Sequence, residues 1–217
     1  MIVACPTKIF FGVEHLRDVS ALFQDKTILV VTSKSGRRLT TEPVRNLLGA
    51  LSVGNKIDVV CCVDENPELD DVNSTLQRIK GINYDTVIAV GGASAIDAGK
   101  AFVYALSTGS DILDAIEAKT SATITKTVSL LVINTTAGTG TEINPCAVIT
   151  HKKKKMALLS ECICPSWSWI VPDLMESIPL QTTIYQYLDC VFHAVESLFS
   201  RGANIFSVES AKICIDL

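Results

Sequence analysis

A chain of 217 residues, 48% of them hydrophobic, can form one large domain or one domain with part of a second, and has ample apolar material for a core. Its formal net charge of -4 leaves no electrostatic footprint for nucleic acid. The opening MIVACPTKIFFG lacks the basic-then-apolar layout of a secretory leader, and no apolar run has the length to span a bilayer, so a cytoplasmic protein with no membrane partner is expected.

Thr27 to Ser33 (TILVVTS), Lys56 to Val63 (KIDVVCCV), Asp85 to Val90 (DTVIAV) and Ser129 to Thr135 (SLLVINT) are short β-branched runs suited to buried parallel strands. Helical periods lie between them. Glu42 to Leu51 aligns Val44, Leu47, Leu48 and Leu51, Leu69 to Ile79 aligns Leu69, Val72, Leu76 and Ile79, and Ala95 to Leu106 forms a third segment. Strand and helix alternate, which predicts an α/β fold built of βαβ units. Ligands of such sheets sit beyond the carboxyl ends of the strands, where Ser33, Gly91 to Ser94 and Thr135 to Thr139 are expected. Ser107 to Lys126 reads as a long surface excursion with one short helical piece. After Thr150 come His151 and the run Lys152 to Lys155, read as a solvated turn, and then SWIVPDL as a further strand-like piece. From about Ile178 the period is helical, which places a domain boundary between 177 and 178. No glycine cap or other helix stop precedes Leu217, and no internal repeat is present.

The eight cysteines, Cys5, Cys61, Cys62, Cys146, Cys162, Cys164, Cys190 and Cys214, are expected as reduced thiols, most of them buried. Cys162 and Cys164 form a C-x-C without a matching pair, a weak metal signal.

Three constellations carry chemistry. In VIAVGGASAIDAGKAF a strand breaks into Gly91-Gly92-Ala93-Ser94 and a helix follows, so a tight turn and unpartnered first-turn amides could receive a phosphate. Ser94 and Asp97 equally form an S-x-x-D cap that any helix start could use. In NTTAGTGTEINP, Asn134 to Pro145, threonine hydroxyls and two glycines follow the fourth strand, fit for phosphate or ribose oxygens or for local turn bonds. In YLDCVFHAVES, Asp189 and His193 stand at i and i+4 on one helix face, where they could share a divalent cation or bond each other, while Glu196 reads as a solvated acid.

Together with PTKIFFG (6 to 12), Asn66-Pro67, Asp111-Ile112, AVIT (147 to 150) and PDL (172 to 174), these motifs in this order make the chain similar to the iron-containing (group III) alcohol dehydrogenase family, including its phosphonoacetaldehyde-type and lactaldehyde-type reductases. The resemblance spans essentially the whole chain. It implies a Rossmann-like parallel sheet in an N-terminal domain, 1 to 177, followed by the beginning of an all-helical metal-binding domain, 178 to 217, in a dehydroquinate synthase-like architecture. It implies an NAD(P)-dependent enzyme that moves hydride between nicotinamide and a small alcohol or aldehyde, with Fe2+ or another divalent metal such as Zn2+ polarising the substrate oxygen.

Residue by residue, the resemblance puts the diphosphate loop on Gly91, Gly92, Ala93 and Ser94, and the motif aspartate near the nicotinamide, the catalytic candidate, on Asp97. It puts nucleotide contacts on Thr135, Thr136 and Thr139, a cofactor-side lysine on Lys155, and the first two metal ligands on Asp189 and His193. Ser33 falls where an aspartate in NAD-selective members repels a 2'-phosphate, and with Lys34, Arg37 and Arg38 nearby the choice between NAD and NADP leans to NADP. The family draws two further metal-binding histidines from later helices, whereas this chain has only His15, His151 and His193. Ala93 replaces the loop's third glycine, Asn134 a usual proline, and Tyr187 a glycine before the ligand aspartate. Alternatives are a noncatalytic nucleotide-binding or assembly module without a complete metal site, and a dehydroquinate synthase-like or glycerol dehydrogenase-like enzyme. Exposed Val191, Phe192, Leu198 and Phe199 and the family's habit point to a homo-oligomer.

Overall fold

A computed structural model describes residues 5–64, 66–118 and 122–217. The strands are β1 (Lys8–Phe11), β2 (Thr27–Ser33), β3 (Lys56–Val63), β4 (Thr86–Gly91), β5 (Ser129–Asn134), β6 (Cys146–His151), β7 (Lys154–Leu159) and β8 (Trp167–Ile170). The α-helices are α1 (Leu16–Ser20), α2 (Glu42–Leu51), α3 (Leu69–Arg78), α4 (Ala93–Thr108), α5 (Ile112–Ala118), α6 (Leu180–Phe199) and α7 (Ile205–Asp216).

Six strands form one parallel sheet in the order β1-β8-β5-β4-β2-β3, and β6 pairs with β7 in a separate antiparallel hairpin. This is the α/β, Rossmann-like architecture that the alternation predicted. Alternating residues of the central strands feed two cores. Leu29, Val31, Val87, Ala89, Leu130 and Val132 pack with Val72, Ile96 and Phe102 of α3 and α4, while Ile28, Val30, Ile88, Val90, Leu131 and Ile133 pack with Val19, Val44 and Leu47 of α1 and α2. Every residue of β4 is buried, as a parallel strand covered on both faces requires.

The direction of strand addition reverses between β2 and β4. The chain passes outward from β2 to β3, returns to β4, and then proceeds through β5. Such a reversal opens a crevice at the carboxyl ends of the strands.

Several local expectations are corrected. Helix α4 begins at Ala93 with Gly92 as its N-cap, and no side-chain hydrogen bond caps it. Ser94 instead accepts a bond from the Asn66 backbone N–H at 3.1 Å, and Asp97 binds partners beyond the helix, so the S-x-x-D capping reading does not hold. The polar stretch after Thr150 is the tip of a hairpin. Lys152 and Lys153 take φ of 48° and 65°, the left-handed pair that a two-residue hairpin loop demands, and Lys154 and Lys155 already belong to β7. None of the cysteines is fully buried: Cys5 and Cys61 are exposed, the other six intermediate, and all eight are free thiols. The strand β1 carried no sequence signal of its own; it acquires its partner β8 from across the whole domain.

The excursion from Ser107 does contain a short helix, α5, and its return is tied by Thr125 and Lys126 N–H groups donating to Ser107 O; residues 119–121 of that stretch lie outside the described residues. The final helical stretch is two helices. Asn204 ends the intervening turn by accepting from Phe206 and Ser207 N–H at 3.0 and 3.3 Å, while Ser207 Oγ accepts from Asn204 N–H, a reciprocal cap for α7. Among the described residues no helix is long and apolar enough to cross a membrane.

Candidate functional site

Two clefts open at the carboxyl edge of the sheet. The first, about 420 Å³, is lined by Ser33 to Ser35 and Arg38 after β2, Val63 and Asp64 after β3, Gly91 to Ala95 at the β4–α4 turn, and Thr135 and Thr136 after β5. The second, about 520 Å³, collects Asn66, Ser94, Asp97, Thr139, Lys155, Asp189 and His193 among its walls. Ala93 and Ser94 line both.

The turn into α4 shows why glycine stands there. Gly91 has φ of 148°, and a Cβ on it would lie 2.7 Å from Ala95 Cβ, so the first turn of the helix folds back tightly on the strand end. With no side chain capping α4, the amides at its start face the cleft with the positive end of the helix dipole. Ala93 occupies the first helical position. Thr136 packs against Gly92, where a Cβ would meet its Cγ2 and Oγ1 at 3.0 Å. Asn134 is buried and braces the loop: its Oδ1 accepts from Thr136 N–H at 3.0 Å and its Nδ2 donates to Glu142 at 3.1 Å. Thr135 is buried below it, its N–H donating to Gly91 O.

At the rim of the first cleft Ser33 Oγ lies 3.1 Å from Ser35 Oγ. Two of the three nearby cations are already engaged. Lys34 Nζ sits 2.6 Å from Asp64 and 3.0 Å from Asp71, whose carboxylates raise its pKa, and Arg38 donates to Leu174 O at 3.0 Å and Ser177 Oγ at 3.2 Å.

In the second cleft Asp97 is 8% exposed. Its Oδ1 accepts from Thr141 Oγ1 at 2.7 Å and its Oδ2 from Val148 N–H at 3.0 Å. Burial pushes its carboxyl pKa up, and these two bonds together with the Lys100 charge oppose that shift. Lys155 reaches the cleft from β7, opposite Thr150 of β6. Thr139 lies at the surface of the loop, its Oγ1 3.4 Å from Thr141 N–H.

Asp189 and His193 project from one face of α6, Oδ2 to Nδ1 3.9 Å, each about half exposed. His193 Nδ1 also lies 3.3 Å from Gly138 O, so an Nδ1 proton donated there leaves Nε2 as the free nitrogen. The loop meets α6 closely: Ala137 N–H donates to Gln186 Oε1 at 3.1 Å, and Gly138, at φ 109°, leaves room for a Cβ only 2.9 Å from Gln186 O and 3.2 Å from Asp189 Oδ2. A carboxylate and an imidazole at this spacing fit two positions of a divalent cation. Among the described residues no group of three or more His, Cys, Asp and Glu side chains could hold a metal. Glu196, one turn on, is exposed.

The residues to which the resemblance gave a cofactor or metal role, Ser33, Gly91 to Ser94, Asp97, Thr135, Thr136, Thr139, Lys155, Asp189 and His193, each line one of these clefts, whereas Arg37 and Glu196 line neither. Thr141, Asn144, Cys146 and Thr150 join them without having been picked, and Lys100, behind the wall, holds three of the loop's polar groups. The available signal for Lys100 was its place three residues after Asp97 on an otherwise apolar helix face.

The sequence profile of the family described as iron-containing alcohol dehydrogenase matches residues 6–172. Alcohol dehydrogenase 4 of Schizosaccharomyces pombe is 33% identical over 157 residues, 71% of this chain and 37% of that protein. The crystal structure of NADH-dependent butanol dehydrogenase A of Thermotoga maritima superposes with a TM-score of 0.85 at 27% identity, covering 99% of this chain and 55% of that one. The structure of sulfoacetaldehyde reductase of Bifidobacterium kashiwanohense in complex with NAD+ does so with a TM-score of 0.78 at 27% identity, covering 93% and 54%. The chain thus spans about half or less of the length of these relatives.

Proposed function

The chain belongs to the iron-containing alcohol dehydrogenase family, and from that membership we propose that it contributes to hydride transfer between a nicotinamide dinucleotide and a small alcohol or aldehyde. The observation that carries the reading is the shared wall: Ala93 and Ser94 line both clefts, so a dinucleotide held by its diphosphate at the α4 terminus has one end in each. In this reading the adenosine half takes the first cleft, beside Ser33, and the nicotinamide half the second, beside Asp97.

When bound, the dinucleotide supplies the hydride and a divalent cation, Fe2+ or Zn2+, supplies Lewis-acid polarisation of the substrate oxygen. The chain's own groups bind and orient. The amides of Gly92, Ala93 and Ser94 receive phosphate oxygens, with Thr135, Thr136 and Thr139 on the facing loop. Each oxygen of Asp97 retains a lone pair after accepting from Thr141 and Val148, which suits it to orient the nicotinamide end. Lys155 adds a positive charge to the same cleft, and Asp189 with His193 Nε2 holds the cation. Of the cations that favoured NADP, Lys34 is paired with Asp64 and Asp71 and Arg38 with Leu174 O and Ser177 Oγ, which weakens that preference and leaves the choice between NAD and NADP open.

The same proposal includes a division at 177/178, a cytoplasmic location consistent with eight free thiols, and a homo-oligomer, supported by Phe192 and Phe199, 63% and 84% exposed on α6. The test is titration of the chain with NADH and NADPH by fluorescence, followed by alcohol oxidation with added Fe2+ or Zn2+. Binding with turnover supports the reading; no binding of either dinucleotide sinks it. That the described residues bring together only two metal donors favours a second reading, a noncatalytic nucleotide-binding module, which predicts binding without hydride transfer at any metal concentration.

A further inference from the structure

Lys100 is 0% exposed, on the third turn of α4, a place where lysine is almost never found without full compensation. Its ammonium has three protons, and each has an acceptor: Thr141 Oγ1 at 2.8 Å, Asn144 Oδ1 at 3.0 Å and Cys146 O at 2.6 Å. Thr141 and Asn144 belong to the loop that joins β5 to β6, and Cys146, where that loop ends, is the first residue of β6. Lys100 lines neither cleft; apart from the pull of its charge on Asp97, it acts on them through that loop.

We propose that Lys100 is a positioning residue: its three hydrogen bonds clamp the loop from Gly138 to Cys146 onto α4, and the clamped loop sets the orientation of Asp97 on one side and His193 on the other.

The links are individually visible. Because Thr141 Oγ1 accepts from the ammonium, its own proton goes to Asp97 Oδ1 at 2.7 Å, which fixes the carboxylate rotation. Asn144 Oδ1 takes both Lys100 and Cys146 N–H, and its Nδ2 then donates to Gly140 O at 3.0 Å, closing the loop on itself. Upstream in the same loop, Gly138 O meets His193 Nδ1 and Ala137 N–H meets Gln186, so the loop is also the seat of α6. Burial lowers the Lys100 pKa to about 8 against the pull of Asp97, Cys146, Cys164 and Glu142, so an open loop that returns the lysine to water binds a proton more tightly than the closed one, and closing strengthens as pH rises from about 8 toward 10.5.

The roles of Asp97 and His193 rest on the proposed function; the clamp itself does not, and the experiment separates them. Hydrogen exchange of the full chain is followed by mass spectrometry for wild type, Lys100→Met and Asn144→Ala, alongside NADH and Zn2+ titrations. Expected is a drop in protection of about tenfold or more across the loop and the Val148 amide in Lys100→Met, a smaller drop in Asn144→Ala, and unchanged β4. In wild type, loop protection corrected for intrinsic exchange rises above about pH 8, and in Lys100→Met that step is absent. NADH and Zn2+ affinities fall in parallel with loop protection. Unchanged loop protection in Lys100→Met, or no pH step in wild type, overturns the clamp. If Lys100→Met does not fold, Asn144→Ala and the wild-type pH step decide. If wild type binds no dinucleotide yet the loop results hold, the clamp stands and the functional reading fails.

Discussion

The Nδ1 of His193 lies 3.3 Å from the carbonyl oxygen of Gly138, so a loop that follows β5 decides which nitrogen of an α6 imidazole is left for the cleft. A backbone carbonyl held by a positive-φ glycine is a rigid partner, and the helix gains its orientation from a segment 55 residues earlier.

Gly138→Ala tests that relationship. A methyl at φ 109° is strained, and it lands 2.9 Å from Gln186 O and 3.2 Å from Asp189 Oδ2, so the loop must withdraw from α6. The expected outcome in a Zn2+ or Co2+ titration is affinity weaker by about 10–100-fold, the range for lost outer partners of a metal-binding histidine, with the sheet's circular dichroism unchanged. Asp189→Ala and His193→Ala should abolish measurable binding.

Gly91→Ala addresses the first cleft. Its new Cβ would lie 2.7 Å from Ala95 Cβ at a φ of 148°, so either the turn or the first helical residues shift. A destabilisation of about 1–3 kcal/mol is expected in urea unfolding, and NADH titration should show a larger loss of affinity than the stability change alone explains.

Asp64→Asn bears on cofactor choice. Asp64 holds Lys34 at 2.6 Å and adds a negative charge to the first cleft. Removing that charge leaves Lys34 held by Asp71 alone and more available to a 2'-phosphate, and the ratio of NADPH to NADH affinity should rise about threefold at low ionic strength and less in high salt. An unchanged ratio would place the adenosine ribose elsewhere.

The pH dependence of stability carries the sign of a buried cation. The Lys100 pKa is lowered from 10.5 to about 8 on folding, so between those values the unfolded chain binds the extra proton. Unfolding free energy therefore rises with pH across that window and is flat in this respect below it. For a group so buried the rise amounts to about 3 kcal/mol at most, and chemical denaturation from pH 7 to 10.5 should show it in wild type minus Lys100→Met. An identical pH dependence in the two proteins would exclude it.

The sequence by itself determined β2, β3, β4 and β5 and the helices α2, α3 and α4, because period and β-branched composition are local properties; the burial expected of β3 does not hold, since it is the edge strand of the sheet and Lys56, Asp58, Val59 and Cys61 are exposed. It also marked Gly91 to Ser94, the threonine loop and the Asp189–His193 pair, since a glycine turn, a threonine-glycine run and an i, i+4 spacing are all readable within a few residues. Strand β1 is too short to show a period, and the β6–β7 hairpin turns on Lys152 and Lys153, whose left-handed backbone no residue preference announces. What only the tertiary structure decided is who meets whom across the chain. Asp97 finds Thr141 and Val148 at separations of 44 and 51 residues, Lys100 finds Cys146 at 46, and Lys34 is spent on Asp64 at 30. A buried charge takes its meaning from the partners that compensate it, and here folding brings those partners in from elements that no local pattern connects.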